Sequence, residues 1–334
     1  MSSAANTLTV EGLTLDLAGV YSQKHLVDDV SFTIPRGRSV GLIGESGCGK
    51  TMTAMAIVGL LPPGVSYAGG SIRLGDTDLM NGPPSQLARV RGRSIGTIFQ
   101  DPMNSLNPTA SVGDQIAESR RIHLGESRST ARQHAIALLD KVGIPDSRRR
   151  VNSYPHELSG GMQQRVMIAA AISCSPDLII ADEPTTALDV TVQEEILQLL
   201  RDLQEETSMS VLLVTHDLGV VSEFCDDVVI MYAGHVVEKA KVNDFFFDAQ
   251  QHPYSRALLR AVPDGQRPRQ LLEVIPGRVP PAGSFPPGCR FQPRCEFTVD
   301  ACSVAVPAES LVQHDHTSRC SRVAAGEIDL REVL

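Results

Sequence analysis

Short alternations of apolar and polar residues open the chain. In LTVEGLTLDL (8–17) and LVDDVSFTI (26–34) the apolar side chains recur at about every second position, which is typical of strands with one buried face. The tripeptide PRG (35–37) follows and predicts a turn. The next apolar run, SVGLIG (39–44), has the length of a buried strand and leads into a glycine-rich loop. The chain is therefore predicted to begin with strands.

The spacing changes farther along, where apolar residues recur three and four positions apart. This spacing predicts helices, and the segments that carry it are 51–61, 112–125, 129–144 and 160–173. The first of these is expected to end at Pro62. From Asp177 to about residue 233, short apolar runs alternate with helical patterns. Such alternation implies a mostly parallel sheet with helices on both faces, so the predicted fold class is α/β.

Composition excludes several classes of protein. The chain has 334 residues, of which 21% are charged, and a formal net charge of −9. It lacks the basic face that neutralises phosphates of DNA or RNA, so no nucleic-acid partner is expected. No window approaches the roughly 18 consecutive apolar residues of a membrane span, and the start has no secretory signal pattern. The protein is therefore expected in the cytosol.

The cysteines are distributed unevenly. After Pro263 the composition shifts to proline, glycine and arginine, which predicts a linker or irregular extension. Four of the seven cysteines follow it: Cys289, Cys295, Cys302 and Cys320. The cytosol disfavours structural disulfides, so metal ligation gains weight. The spacing lacks the two tight pairs of a zinc ribbon, yet four thiolates suit Zn²⁺ or a [4Fe–4S] cluster. Reduced free thiols are the third alternative.

GESGCGKT (44–51) matches the phosphate-loop pattern and lies between a predicted strand and a predicted helix, as that pattern requires. Its glycines allow backbone N–H groups to turn towards phosphate oxygens at a helix N-terminus. Lys50 is expected to reach the β- and γ-phosphates of ATP, and the Thr51 hydroxyl to bind Mg²⁺. Cys48 is either a small residue at a variable position or a thiol made acidic by Lys50 and the helix. The predicted nucleotide ligands here are Gly44, Ser46, Gly47, Cys48, Gly49, Lys50 and Thr51.

Two further motifs complete the candidate site. Asp182 and Glu183 end the apolar run LIIADEP, where a strand's carboxyl end faces the ligand crevice of an α/β sheet. Asp182 is placed to hold Mg²⁺, and Glu183 to orient and deprotonate the attacking water. LSGGMQQR (158–165) puts a serine and two glycines before a helix, which predicts a second anion-binding helix N-terminus.

These motifs together resemble the ATP-binding cassette (ABC) ATPases. In that family the 158–165 signature of one subunit caps the ATP held by another, which implies nucleotide-binding roles for Ser159, Gly160, Gly161 and Gln163. The same resemblance implies further roles: Gln100 as the glutamine that senses Mg²⁺ and touches the membrane partner, Asp189 in the loop that crosses the dimer interface, His216 as the catalytic histidine at the γ-phosphate, and Tyr21 as the residue that stacks on adenine.

The resemblance also implies a fold and a domain division. Residues 1–263 are expected to form the ABC nucleotide-binding domain, with an α/β core, an antiparallel β subdomain and a helical subdomain at about 100–170. Residues 264–334 are expected to form a C-terminal extension with the four-cysteine site.

SPDLIIADEPTTALDVTVQEEIL (175–197) and QHPYSRALLRAVP (251–263) resemble the ATPases of bacterial oligopeptide/dipeptide importers, a group that includes nickel importers. The resemblance implies a heterodimer with a second homologous cassette subunit, two membrane permease subunits, an external solute-binding protein, and a place on the cytoplasmic face of the cell membrane. The cargo alternatives are nickel or another small solute. A soluble regulatory ATPase with a redox-sensing tail is the other alternative.

The cysteine-bearing stretch GCRFQPRCEFTVDAC (288–302) resembles the C-terminal extension of the same group, where the resemblance implies an iron–sulfur cluster. A [4Fe–4S] cluster is therefore favoured over zinc. Its expected role is to fold the extension against a cassette, and secondarily to sense redox state or iron.

Overall fold

The computed structural model describes residues 6–18, 24–186, 188–247, 251–262 and 274–330. The chain divides into two units. The first unit takes in Ile34–Arg38 and Leu74–Leu213, with the N-terminus up to Leu8. The second takes in Thr9–Thr33, Ser39–Arg73 and the part of the chain after Leu213.

From Leu178 to Tyr232 the strands and helices alternate, as the apolar pattern from Asp177 to about residue 233 predicts. In chain order the strands are β1 (Asn6–Leu17), β2 (Lys24–Pro35), β3 (Ser39–Ile43), β4 (Val65–Leu74), β5 (Thr77–Asp78), β6 (Ile95–Ile98), β7 (Leu178–Asp182), β8 (Ser210–Thr215), β9 (Asp227–Tyr232), β10 (His235–Lys241), β11 (Ser310–Gln313) and β12 (His316–Ser318). The helices are α1 (Lys50–Ile57), α2 (Pro84–Val90), α3 (Pro102–Ser105), α4 (Val112–Leu124), α5 (Arg128–Lys141), α6 (Ser147–Arg150), α7 (Gly160–Ile172), α8 (Val190–Thr207), α9 (Leu218–Phe224), α10 (Val242–Phe247), α11 (Pro253–Arg260) and α12 (Ser321–Ala324).

The first unit contains parallel strands and most of the helices. β7 lies between β6 and β8 in the strand order. β6 pairs with β7 in parallel, and Ile95 lies opposite Leu178. Between these strands in sequence the chain is helical from α3 to α7, which matches the expected helical segments. Ser111 caps the N-terminus of α4, and Gly125 ends it in the left-handed conformation.

The second unit has two groups of strands. β1 lies between β2 and β4 in the first group. In the second, β3 pairs with β9 in parallel, β9 with β10 antiparallel, and β10 with β12 antiparallel. All five residues of β3 are buried, which explains the apolar run that follows Ser39, since a strand covered on both faces needs no exposed polar positions.

One expectation needs correction: helix α1 ends at Ile57 and not at Pro62, because Gly59 takes the left-handed conformation that terminates a helix. The cysteine-bearing tail, for which the sequence analysis predicted no strands, contains β11 and β12. They form an antiparallel pair that continues the strand order of the second unit. His316 in β12 is fully buried and hydrogen bonds to Glu238 of β10, with 2.7 Å between Nε2 and Oε1.

Among the described residues, no helix is both long enough and apolar enough to span a bilayer.

Candidate nucleotide site

The phosphate loop lies where the pattern predicts it, between β3 and α1 in the second unit. Lys50 begins α1 and is only 6% exposed. Its Nζ donates to the carbonyl oxygens of Gly44 at 2.7 Å and Glu45 at 3.2 Å. The lysine therefore links the two ends of the phosphate loop by hydrogen bonds. It also places a positive charge at the N-terminus of α1, an arrangement that favours a bound phosphate.

Gly44 is required by close contact with its surroundings. Its φ is +150°, and a Cβ built there would lie 2.2 Å from the carbonyl oxygen of Met231 and 2.8 Å from Sγ of Cys48. Gly47 differs: its φ is +81°, but a Cβ there would meet nothing within 4 Å. A residue with a Cβ is therefore disfavoured at Gly44 by both packing and backbone conformation, and at Gly47 by backbone conformation alone.

The hypothesis of an acidic thiol at Cys48 is wrong. The side chain is fully buried, and this burial raises the pKa of the thiol although the nearby Lys50 ammonium opposes the shift. Its Sγ lies 3.9 Å from Nζ of Lys50. Cys48 is therefore a small, buried, packed residue, which was the other interpretation of this position.

Glu183 lies directly after β7 in the first unit, with Asp182 as the last residue of that strand. Nε2 of Gln100 and Oγ1 of Thr186 both donate to Oε2 of Glu183, each at 2.9 Å. Glu183 also has a φ of +46°, a conformation that costs a non-glycine residue energy and is concentrated at functional sites. The structure thus brings Gln100 and Glu183 together. Thr186 joins them, and sequence reasoning assigned it no separate role.

The signature residues lie at the start of α7, also in the first unit. Ser159 caps this helix by accepting from the N–H of Met162 at 3.4 Å. Ser159 and Gly160 are exposed and Gly161 is half-buried, so this helix N-terminus faces outward. Gln163 is only 5% exposed, and its Nε2 donates to the carbonyl oxygens of Pro155 and Leu158. Its amide group therefore stabilises the loop that precedes the signature.

The remaining predicted residues have separate positions. Asp189 is exposed and caps α8 by accepting from the N–H of Val192 at 3.0 Å. His216 is exposed and directly follows β8, in the second unit. Tyr21 lies outside the described residues.

Two residues of the C-terminal part of the chain reach the phosphate loop, and sequence reasoning missed both. The N–H of Glu45 donates to Oη of Tyr254 at 2.8 Å. The Arg294 guanidinium binds the Glu45 carboxylate with both terminal nitrogens, at 2.6 and 3.0 Å. These partners stand 209 and 249 residues from Glu45, so no local pattern connects them.

The four C-terminal cysteines lie close to one another in the second unit. The N–H of Cys289 donates to the carbonyl oxygen of Cys302 at 2.8 Å. Burial raises the pKa of the Cys289 and Cys320 thiols, and that of Cys295 to about 12, and the neighbouring thiols of the group raise each of these pKa values further. Among the described residues, however, no group of three or more His, Cys, Asp or Glu side chains is arranged to hold a metal ion.

Two protein-family models match this chain. Residues 27–186 match the model of the ABC transporter family, a span that includes the phosphate loop, the signature and Glu183. Residues 237–302 match the model of the oligopeptide/dipeptide transporter C-terminal region.

Similar proteins cover nearly the whole chain. A Brucella melitensis protein assigned as a peptide import ATP-binding protein is 49% identical over 308 residues, which cover 89% of this chain and 91% of that protein. A Sinorhizobium fredii protein assigned as a peptide ABC transporter ATP-binding protein is 46% identical and covers 94% of each chain.

Solved structures of ABC cassettes are similar to this chain in fold. A dimeric ATP-binding cassette in a post-hydrolysis state with ADP and phosphate is 28% identical, with a TM-score of 0.63 over 70% of this chain and 98% of that one. The cbiO1 protein of Clostridium perfringens, part of an ABC transporter complex, is 27% identical, with a TM-score of 0.63 over 72% and 91% of the two chains. The expected cassette fold is confirmed by these likenesses. The chain therefore belongs to the ATP-binding subunits of ABC transporters, is an ATPase of that type, and carries the C-terminal region of the oligopeptide/dipeptide transporters.

Proposed function

We propose that this ATPase powers the import of di- and oligopeptides through a membrane permease. The peptide cargo is inferred from the match of residues 237–302 to the oligopeptide/dipeptide transporter C-terminal region. Relatives assigned to peptide import support this inference. The chain acts with two permease subunits at the cytoplasmic face of the membrane, and an external binding protein delivers the peptide.

The residues of the phosphate loop bind the nucleotide. The N–H groups of Gly44, Ser46, Gly47, Cys48 and Gly49 surround the phosphates, and Tyr21 stacks on adenine. The Lys50 ammonium exchanges its two backbone acceptors for phosphate oxygens, a replacement of neutral acceptors by anionic ones that strengthens its hydrogen bonds.

Oxygen donors suited to Mg²⁺ are present in the hydroxyl of Thr51, the amide of Gln100 and the carboxylate of Asp182. When bound, Mg²⁺ neutralises charge on the phosphate oxygens.

Glu183 is the general base for hydrolysis. Its Oε2 accepts from Gln100 and Thr186, which orients the carboxylate that takes the proton of the attacking water. Because Gln100 holds this carboxylate directly, a movement of the Gln100 side chain changes the orientation of the base. His216 contacts the γ-phosphate and stabilises charge that develops on it.

The active form is a dimer with a second, homologous cassette subunit. The signature helix presents Ser159 and Gly160 at the surface, where the N-terminus of α7 can cap an ATP held by the partner. Gln163 supports that loop from within, and Asp189 crosses to the partner subunit. A similar cassette is dimeric in its post-hydrolysis state, which supports the same arrangement here.

The isolated chain should therefore hydrolyse ATP slowly, because its phosphate loop lacks the signature of a partner. In proteoliposomes with the partner ATPase and both permeases, we expect ATP hydrolysis to rise with external peptide and binding protein, and labelled dipeptide to enter. The measurements are phosphate release per subunit and peptide uptake. Fast hydrolysis independent of protein concentration contradicts the dimer, and nickel uptake without peptide uptake contradicts the cargo.

We further propose that Cys289, Cys295, Cys302 and Cys320 hold a [4Fe–4S] cluster. All six pairs of these thiols interact electrostatically, although no three ligands are arranged around a single ion. Four cysteine thiols are the ligand set of a [4Fe–4S] cluster, and their spacing lacks the two tight pairs of a zinc ribbon. The cluster would supply positive charge that lets these half-buried thiols ionise.

Anaerobically purified protein should then contain about four iron and four sulfide per chain, as a cubane cluster requires, and show visible absorbance. Cys302→Ser should lose both. Cys225→Ser is the matched control, since Cys225 is a buried cysteine of the same unit outside the group, and it should retain them. A colourless protein with one zinc per chain would show that the group is a zinc site.

A further inference from the structure

The guanidinium of Arg294 has all five of its N–H donors engaged. Besides the two bonds to Glu45, Nη1 lies 3.4 Å from Oη of Tyr232, Nη2 donates to the carbonyl oxygen of Ile275 at 3.3 Å, and Nε donates to that of Pro276 at 2.6 Å. The arginine side chain is only 5% exposed, and that of Glu45 is 28% exposed. A two-point pair of this kind has a fixed geometry that a lysine cannot reproduce.

Glu45 connects this arginine to the phosphate loop. Its carboxylate pairs with Arg294, its N–H donates to Tyr254, and its carbonyl oxygen accepts from Lys50. The residue next to Gly44 in the loop is therefore held at three points, and two of its partners belong to the C-terminal part of the chain.

The segment that carries Arg294 is itself anchored. The Phe291 ring lies 5.2 Å from that of Tyr232 and 5.3 Å from that of Tyr254. The Arg290 guanidinium donates to the carbonyl oxygen of Ala233 and to Asp28. These contacts lie just ahead of Arg294 in the chain, so the position of its guanidinium follows from the fold of the extension.

A carboxylate in a phosphate-binding loop opposes the binding of an anion, because like charges repel strongly in a partly buried site. Arg294 neutralises that carboxylate and fixes its direction. We propose that Arg294 is a positioning residue for nucleotide binding, through which the C-terminal extension sets the ATP affinity of the phosphate loop. The inference rests on the proposed role of residues 44–51 as the nucleotide site, and it holds whatever the cysteines bind.

The test is fluorescence titration of the full chain with mant-ATP and Mg²⁺. Arg294→Met should raise the Kd by about tenfold, which corresponds to about 1.4 kcal/mol, because Glu45 is then left uncompensated. Adding Glu45→Gln to Arg294→Met should restore most of the affinity by removing that charge. Arg294→Lys, which keeps the charge without the two-point geometry, should give an intermediate Kd.

Arg260→Met is the matched control. Arg260 pairs with Glu296 of the extension at 3.1 Å, whereas Arg294 pairs with Glu45, so loss of Arg260 should leave the Kd within about twofold of the wild type, a change of under about 0.5 kcal/mol. Thermal unfolding of every variant separates loss of affinity from loss of fold.

Three outcomes would overturn the proposal: an unchanged Kd in folded Arg294→Met, a double variant as weak as Arg294→Met alone, or an equal loss in Arg260→Met. If Arg294→Met does not fold, the comparison moves to Arg294→Lys with and without Glu45→Gln, where absence of rescue overturns the proposal.

Lys50→Ala should abolish nucleotide binding. Wild-type affinity in that variant would instead remove residues 44–51 from the nucleotide site, a failure distinct from that of Arg294.

Discussion

Replacement of Glu183 by glutamine should slow ATP hydrolysis at this chain's own site by about 10²- to 10⁴-fold, the range that a general base contributes. Glutamine keeps the shape of the side chain and an oxygen that accepts from Gln100 and Thr186, but it takes no proton from water. ATP binding should be retained, because the phosphate loop is unchanged. The measurement is single-turnover hydrolysis in the assembled dimer, alongside the Kd for ATP.

Glu205→Gln is the control for this substitution. Glu205 is exposed in the last turns of α8, and its replacement changes the net charge equally, so turnover should stay at the wild-type rate. If Glu183→Gln hydrolyses ATP at the wild-type rate, Glu183 is not the base.

Gly44→Ala should destabilise the second unit severely. The new Cβ would lie 2.2 Å from the carbonyl oxygen of Met231, so a loop or strand backbone must move. Overpacking costs about 1–3 kcal/mol, and a positive φ adds about 1–2 kcal/mol for a residue with a Cβ. We expect a loss of about 2–5 kcal/mol in the free energy of unfolding, measured by chemical denaturation without nucleotide.

Gly47→Ala separates the two contributions to this loss. Gly47 also has a positive φ, but a Cβ there meets no atom within 4 Å. Its replacement should therefore cost only the conformational part, about 1–2 kcal/mol. Equal losses in the two variants would show that the contact with Met231 does not restrict the loop.

Much of the fold was predictable because its signals are local. The apolar run of β3 and the three- and four-residue spacing in α4, α5 and α7 correspond to the elements observed. The boundary of α1 was missed because a single residue, Gly59, overrides a helical pattern that continues beyond it. The hairpin of β11 and β12 was missed because short strands at a sheet edge have little apolar content, and β10, the other partner of β12, is distant in sequence.

The position of His316 illustrates the same limit. It stands among polar residues in the sequence, yet it is fully buried against Glu238. A buried histidine is tolerated where a carboxylate accepts its hydrogen bond. That carboxylate lies 78 residues away, so the sequence around His316 carries no sign of it.

By itself the sequence determined the class of chemistry, since the phosphate loop, the signature and the carboxylates at the end of β7 are contiguous motifs whose backbone geometry is set by their own residues. Only the tertiary structure decided how these motifs are supported. It placed Gln100 and Thr186 on one oxygen of Glu183, buried the thiol of Cys48, and joined Arg294 to Glu45 across 249 residues. Ion pairs and hydrogen bonds between distant segments form only where the folded chain brings their residues together. The local spacing of residues in the sequence does not indicate these positions.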